Sequence, residues 1–385
     1  MCSSNTNKVK HILFMIDSLG EGGAEKVLIN ILRRMDTQRY KITVFLLYKQ
    51  GTYIEQVPDY VKVKFFVLGN EMLKNRVFSK LLYKVYRKIV MNLNKILGGW
   101  IIYKFFIKEE FDTEVAFLEG DACLFVSNSK NLYSKKIAWI HTDLEKRITM
   151  DRLKEKRALE KMNQIICVSN GSEFSVIKLY PELAYKIKVI YNPIDSSEIL
   201  DKAQEKIDFN FKSHKFTFIS VGRLEAPKGY ENLIKVHKAL IDEGISHHLI
   251  ILGEGRLRNK LERMICDLNI TDSITLLGFI QNPYPYVKKS DAMVISSVYE
   301  GFPLAMAEGL ILGKPIVSTN CVGPSEVLNN KYGILVEVGN LEELKENMKR
   351  MILDKNLREY FSNKALERSR IFDIDKTIME IDKIL

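Results

Sequence analysis

Glu300-Gly301-Phe302-Pro303-Leu304-Ala305-Met306-Ala307-Glu308 places two carboxylates, with seven residues between them, after an apolar run, 292–296, and at the opening of an Ala/Leu-rich helical pattern. Gly301 can take backbone angles that other residues avoid. Pro303 suits the first turn of a helix, where its missing N–H costs nothing. The spacing therefore predicts a helix from about Pro303, with Glu300 on the loop at its mouth and Glu308 on its second turn. Free backbone amides lie between the two acids, and the positive end of the helix dipole points outward. Amides suit a phosphate and carboxylates suit hydroxyls, so the segment fits a phosphorylated sugar.

Three other places carry chemistry. In Ser220-Val221-Gly222-Arg223-Leu224-Glu225-Ala226-Pro227-Lys228-Gly229-Tyr230, Arg223 and Lys228 follow a strand and precede a helix. Two cations at a strand's carboxyl edge can hold a diphosphate, one as a fork and one as a point charge, or can be a solvated surface pair. The loop Asp17-Ser18-Leu19-Gly20-Glu21-Gly22-Gly23-Ala24-Glu25 is either a phosphate approach or a tight strand-to-helix turn. It is not a nicotinamide fingerprint: Glu25 replaces the third small residue, and the next strand ends Leu47-Tyr48-Lys49 without a ribose-binding acid. His141 stands just beyond a strand, as does Glu119-Gly120-Asp121, where Asp121 reads as a helix cap.

These residues need a scaffold of strands and helices in alternation. Strand-like runs fall at 9–16, 42–47, 61–67, 114–118, 136–140, 164–168 and 188–190, then at 216–221, 248–252, 274–277, 292–295, 315–318 and 333–336. Longer helical patterns separate them, which is the signature of parallel sheets covered by helices. The Asn192-Pro193 turn and the polar stretch 196–213 read as an interdomain connection. The length, 385 residues, is ample for two α/β domains. The five cysteines, Cys2, Cys123, Cys167, Cys266 and Cys321, are far apart and match neither a disulfide framework nor a zinc site. No metal-ligand cluster stands out. Asp373-Ile374-Asp375 lies in a terminal polar segment and reads as a solvated helix or cap. No apolar stretch approaches the ~18 residues of a membrane span, and the first apolar run is too short for a signal peptide.

In one order the chain carries Gly22-Gly23, Gly222-Arg223 with Lys228, Gly253-Glu254-Gly255, Leu277-Gly278-Phe279, Asp291 before an apolar strand and Ser296-Ser297, Glu300-x7-Glu308, and Gly323-Pro324-Ser325-Glu326. This order resembles the family 4 retaining glycosyltransferases of the GT-B fold, above all the bacterial enzymes of capsule, O-antigen and related polysaccharide assembly. The resemblance implies an α/β chain of two Rossmann-like domains facing across a central cleft. Their expected extents are an acceptor-side domain over 1–192, a nucleotide-sugar domain over 193–372, and a terminal helix over 373–385 that crosses back to the first.

The resemblance further implies a nucleotide-diphosphate sugar as donor substrate, with no cofactor and no metal. Glu308 would hold the ribose hydroxyls and Glu300 the transferred sugar. Arg223 and Lys228 would hold the diphosphate, together with Gly301 and the amides of Phe302 and Leu304. Gly23 would approach the phosphate from the other domain, Gly278, Phe279 and Ile280 would flank the base, and His141 would contact the donor sugar or support the reaction centre. The acceptor would be a saccharide, in the bacterial case one linked to a polyprenyl diphosphate. Two other functions remain open: a non-catalytic, membrane-associated binding subunit and a nucleotide-sugar epimerase of the same architecture.

The formal charge of +10 is concentrated. Residues 74–108 hold nine basic residues and no acid. At helical spacing, Phe78, Leu81, Leu82, Val85, Ile89, Leu93 and Ile96 form one face, while Lys80, Lys84, Arg87 and Lys88 lie on the other. Gly98-Gly99 and the aromatic run 100–106 come next in the chain. Such a segment suits the surface of an anionic membrane; the alternative is a helix that packs its apolar face on the first sheet. Nucleic acid fits less well, because no recognition motif accompanies the charge. The expected location is cytoplasmic, at the inner face of the plasma membrane.

Overall fold

The computed structural model describes residues 9–20, 22–68, 77–147, 151–211 and 215–385. They form two compact units, Met1–Pro193 with Asp375–Leu385, and Ile194–Ile374. In the first, seven parallel strands run β1 (Lys10–Ile16), β2 (Tyr40–Lys49), β3 (Lys62–Leu68), β4 (Thr113–Ala116), β5 (Lys135–Ile140), β6 (Gln164–Cys167) and β7 (Ile187–Val189). Their spatial order is β3-β2-β1-β4-β5-β6-β7. The second unit has β8 (Phe216–Val221), β9 (His247–Leu252), β10 (Ile274–Gly278), β11 (Ala292–Ile295), β12 (Ile316–Thr319) and β13 (Ile334–Val336), ordered β10-β9-β8-β11-β12-β13. All thirteen strands expected from the sequence are present, each within two residues of its expected ends.

The strands read as unbroken apolar runs because both faces of each sheet are covered. Every residue of β9 is buried, and so are the last five of β1. Most of the longer covering helices are apolar on one stripe. In Tyr230–Asp242 the buried residues Tyr230, Leu233, Ile234, His237 and Leu240 recur at spacings of three and four. Leu341–Leu353 starts where Asn340 accepts from the Glu343 amide at 3.1 Å, and it buries Leu344, Met348 and Met351.

Two sequence expectations need correction. The polar stretch after Pro193 opens with a helix, Ser196–Lys202, capped by Asp195, which accepts from the Glu198 amide at 3.0 Å. Ile199 and Ala203, one turn apart, are buried in the second unit, so this stretch is packed structure. The second concerns the alternative given for the basic helix, Val77–Ile96, that its apolar face packs on the first sheet. In the described part of that face Val85, Ile89, Leu93 and Ile96 are 50, 53, 47 and 79% exposed and do not pack there; the side chains of Phe78, Leu81 and Leu82 lie outside the described residues. The packed side carries Val90 and Met91, which join the core of the first unit, and buried Asn94, which accepts from the Ile102 amide at 3.3 Å. Arg87 also turns inward, its guanidinium lying 5.2 Å from the centre of the Tyr48 ring. Lys84 and Lys88 are exposed, and the side chain of Lys80 lies outside the described residues. No helix among the described residues is long and apolar enough to cross a membrane.

The terminal helix Ile374–Asp382 belongs to the first unit from Asp375 onward. Lys188 pairs with Glu380 at 2.6 Å, and Lys135 donates to the Ile384 carbonyl at 2.7 Å. Asp375 is largely exposed and pairs with Arg34 at 3.6 Å.

At the carboxyl ends of β8, β9 and β10 the loops stack through glycines. The Gly253 amide donates to the Gly278 carbonyl at 2.7 Å, and the Leu224 amide to the Glu254 carbonyl at 2.8 Å. Gly253 has φ +144°, and a Cβ there would sit 2.0 Å from the Gly222 carbonyl oxygen. Gly244 has a left-handed φ of +78° but open space around it. Gly253→Ala should therefore destabilise the protein by at least ~2 kcal/mol and Gly244→Ala by only ~1 kcal/mol in denaturant titrations. Equal losses would show that backbone angle alone, and not the stacked loops, sets the cost.

Candidate active site

In the second sheet the strand order reverses between β8 and β11, and a crevice opens outside the carboxyl ends at such a point. The loops that flank it carry most of the candidate site residues. Lys228 closes the β8 loop, in a short 3-10 turn ended by Gly229, whose φ is +65°. A Cβ on Gly229 would sit 2.1 Å from the Ser296 carbonyl, so only glycine admits this approach of the two loops. Glu300 stands on the β11 loop, and its Oε1 accepts from Lys228 Nζ at 2.6 Å across the reversal. The side chains of this pair are 25 and 15% exposed. Arg223 is exposed and makes no side-chain hydrogen bond or ion pair among the described residues.

The helix after Glu300 spans Leu304–Ile311, with Pro303 as its N-cap rather than its first residue. Glu308 falls on the second turn. It is 7% exposed and accepts from the Tyr284 hydroxyl at 3.3 Å. Gly301 and Phe302 are buried, Phe302 packing edge-on against Phe372, and the Leu304 amide opens the helix. Gly278, with φ +79°, ends β10 beside Glu254, and Phe279 and Ile280 come after it, half-buried. The second unit thus gathers Arg223, Lys228, Gly278, Phe279, Ile280, Glu300, Gly301, Phe302, Leu304 and Glu308 on the strand ends, loops and one helix at one edge of one sheet.

His141 and Gly23 belong to the first unit. Gly23 is the first residue of the helix Gly23–Arg34. The first sheet reverses between β1 and β4, and this reversal is lined by acids: Asp17 after β1, and Glu119 and Asp121 after β4. Asp121 does not cap its helix. Gly120 holds the cap position, and Asp121, the first helical residue, pairs with Lys95 at 2.7 Å. Buried Glu119 takes the His141 amide at 3.1 Å on one oxygen and the Thr142 hydroxyl at 3.0 Å on the other. The Glu119 carbonyl accepts from Arg147 at 3.3 Å.

The His141 ring lies against Phe117 and Trp139, and its Nε2 is buried without a partner among the described residues. Burial lowers the imidazole to about pKa 4, against a smaller upward pull from Glu119. His141 is therefore neutral in ordinary buffers, with one ring nitrogen a donor and the other an acceptor. Asp17 Oδ1 and Arg147 Nη1 are likewise buried and unpartnered among the described residues. Burial and then the charge of Asp121 push Asp17 up to about 7. Cys123 and Cys321 are pushed by burial to about 12, which makes both poor nucleophiles. Among the described residues no three His, Cys, Asp or Glu side chains converge on a metal position.

Sequence reading missed the partners that fix these groups: Ser297 on Glu300, Tyr284 on Glu308 and Arg147 beside Glu119. The Ser296-Ser297 pair ahead of Glu300 was the only signal for any of them.

Two parallel α/β units with these reversals define the GT-B class, and solved structures share the arrangement. HepE of Anabaena, in complex with UDP and glucose, superposes with a TM-score of 0.75 at 19% identity, over 97% of this chain and 98% of that one. TarM of Staphylococcus aureus superposes with a TM-score of 0.73 at 15% identity, over 99% of both chains. Residues 201–368 match the model of the family "Glycosyl transferases group 1". A Campylobacter jejuni protein named N-acetylgalactosamine-N,N'-diacetylbacillosaminyl-diphospho-undecaprenol 4-alpha-N-acetylgalactosaminyltransferase is 28% identical over 96% of this chain and 98% of its own length. An uncharacterized glycosyltransferase of Methanocaldococcus jannaschii is 33% identical over 57% of this chain, a match that spans 63% of that relative. Residues 201–368 of the chain are therefore a group 1 glycosyl transferase domain.

The electrostatics of the first unit lead to a pH test. Asp17 keeps its proton up to about pH 7 in the folded chain, against 3.8 as its ordinary value. An acid whose folded pKa is raised costs stability as pH rises between the two values, by at most ~4 kcal/mol here, and no further above the higher one. Asp17→Asn has no such dependence. Its melting temperature relative to wild type should climb steadily from pH 4 to pH 7 and then level off; a difference that stays flat over that range would refute the assignment.

Proposed function

We propose that this chain is a retaining, metal-independent glycosyltransferase that moves a hexose from a nucleotide-diphosphate sugar to a saccharide carried on a polyprenyl diphosphate. One observation carries the reading: a cation pair and two carboxylates stand together at the reversal of the second sheet, with Lys228 and Glu300 2.6 Å apart. Glu308 takes the ribose hydroxyls and Glu300 those of the transferred sugar. Arg223 and Lys228 take the diphosphate, with Gly301 and the amides of Phe302 and Leu304. Gly278, Phe279 and Ile280 flank the base. His141 and Gly23 are the contributions assigned to the first unit, His141 as a neutral hydrogen-bond acceptor. The lipid-linked acceptor is supported by the names of relatives: that of the Campylobacter protein, and a UDP-Gal:alpha-D-GlcNAc-diphosphoundecaprenol alpha-1,3-galactosyltransferase of Escherichia coli, 29% identical over 57% of this chain.

In this reading the acceptor hydroxyl attacks the anomeric carbon from the face that the diphosphate leaves. The bond to the nucleotide breaks as the new glycosidic bond forms, and the acceptor proton passes to the departing phosphate oxygen. Arg223, Lys228 and the positive end of the Leu304–Ile311 helix offset the charge that gathers there. The leaving group is good and needs no strong acid, so the two carboxylates need not act as acid and base. A binding subunit or an epimerase fits less well, since the cations and acids that transfer requires are all present at the site.

Membrane contact belongs to the same proposal. The half-exposed aliphatic row of Val85, Ile89, Leu93 and Ile96, beside exposed Lys84 and Lys88, suits the interface of an anionic bilayer. It favours a cytoplasmic, peripheral enzyme without contact to nucleic acid.

Purified protein should transfer sugar from one member of a UDP-, GDP- and dTDP-sugar panel to a polyprenyl-diphosphate saccharide, read by mass spectrometry. Glu308→Ala should weaken donor affinity ~10-fold or more, whereas Glu300→Ala should chiefly lower turnover, by at least ~10-fold. Unchanged affinity and turnover in both variants would sink the assigned roles.

In a separate sedimentation assay, Lys84→Gln with Lys88→Gln should lower affinity for anionic vesicles ~10-fold or more at low salt, and Ile89→Ser with Leu93→Ser should lower it even at high salt. Equal binding by all forms would exclude the helix as the docking surface.

A further inference from the structure

Glu300 is fixed from several sides, and one of its partners has no part in the transfer scheme. Ser297 is 1% exposed, and its Oγ donates to Glu300 Oε2 at 2.8 Å. Its own carbonyl accepts from the buried Thr319 hydroxyl at the end of β12, so the serine is braced from behind. Its neighbour Ser296 donates from Oγ to the Lys228 carbonyl at 2.7 Å, and the Val298 amide donates to the Pro227 carbonyl at 2.7 Å. The Gly323 amide holds the Glu300 carbonyl at 3.0 Å. Serine pair, lysine and glutamate are therefore joined by side-chain and main-chain bonds inside one unit.

We infer that Ser297 is a positioning residue for the transfer reaction: its buried hydroxyl holds one oxygen of Glu300 so that the other faces Lys228 and the remaining lone pairs face the sugar. This rests on the reading of Glu300 as the carboxylate that meets the transferred sugar. An ionised carboxylate accepts at about four lone-pair positions. Ser297 and Lys228 fill two of them, which leaves two for sugar hydroxyls. Without the serine hydroxyl the carboxylate keeps its bond to Lys228 but can turn about it, which gives up the hydroxyl-accepting orientation while leaving the lysine where it stands. The consequence separates two ligands. A nucleoside diphosphate, which lacks the sugar, does not use the orientation that Ser297 sets. A sugar nucleotide does.

The experiment compares wild type, Ser297→Ala and Ser297→Thr. Calorimetric titration with UDP, GDP and dTDP should give affinities for Ser297→Ala within about twofold of wild type, while kcat on the corresponding sugar nucleotide falls about tenfold or more, as expected for losing a hydrogen bond to a charged group. Ser297→Thr, which keeps a hydroxyl, should restore most of the turnover. Nucleotide affinity lost in parallel with turnover, or turnover unchanged, would overturn the inference.

A second measurement does not depend on any donor. In thermal unfolding, Ser297→Ala and Lys228→Met act through one carboxylate, so the shift of the double variant should differ from the sum of the single shifts. Strict additivity overturns the positioning role. If wild type binds and turns over no sugar nucleotide, the reading of Glu300 falls instead, and the unfolding cycle still decides whether Ser297 orients it.

Discussion

Lys228 and Glu300 can meet at 2.6 Å only because two backbone loops come within contact at the reversal of the second sheet. That approach is a steric constraint before it is an electrostatic one. Gly229 has no Cβ to strike the Ser296 carbonyl, and the Val298 amide then reaches the Pro227 carbonyl. Gly253 and Gly255 extend the same economy of space along the next loop, where their missing Cβ atoms would overlap the carbonyls of Gly222 and Leu224. Once the loops are stacked, the charged groups have few orientations left. The ordering entropy of the site is met largely by folding, so less of it falls on ligand binding.

The two sheets share a topology and differ in chemistry. In the second, the reversal is flanked by a cation and a carboxylate that neutralise each other, with Arg223 exposed beside them. In the first, Asp17, Glu119 and Asp121 crowd one place, and the cations at hand are Arg147 near Glu119 and Lys95 at Asp121. The same burial that raises Asp17 lowers His141, so an acid tends to keep its proton and a base tends not to take one. Neutrality reached in this way suits hydroxyl-bearing ligands, which exchange hydrogen bonds without charge. The balanced ion pair of the second unit suits a dianionic phosphate that can take over the lysine.

Much of this was legible in the sequence because it depends on local period. The strands announce themselves as short apolar runs closed by polar residues or glycine, and the Glu300–Glu308 spacing places one acid at a helix mouth and the other on its second turn. What could not be read depends on which distant residues touch. Ser297 and Thr319 belong to different strand ends, and nothing local joins them. The buried chain from Ser273 through His237 to His247, with contacts of 2.8 Å, links a helix to one strand and to the turn just before another through residues that look unremarkable in sequence. Stretch 196–213 looked like a linker because polar residues dominate it. One cap, Asp195, and two apolar residues four apart are enough to fold its first half onto the second unit.

The helix Val77–Ile96 makes the complementary point about periodicity. Its amphipathic pattern was legible, and the usual assumption would turn the aliphatic stripe inward. The side that packs is instead the one with Met91, Val90 and the polar Asn94. The reason lies in the turn just beyond the helix. After Gly98 and Gly99, both with positive φ, the backbone folds back on the helix end: the Gly99 amide reaches the Asn94 carbonyl at 2.8 Å, and the Ile102 amide reaches the Asn94 side chain. The bond to its side-chain oxygen needs Asn94 on the inner side, although its Nδ2 is buried there without a partner among the described residues. Rotating the helix to hide Ile89 and Leu93 would break that bond and leave the Ile102 amide unpaired, at a cost of about 1–3 kcal/mol. A polar anchor thus outweighs the gain from burying a few half-exposed aliphatic side chains, and the row beside Lys84 and Lys88 stays on the surface.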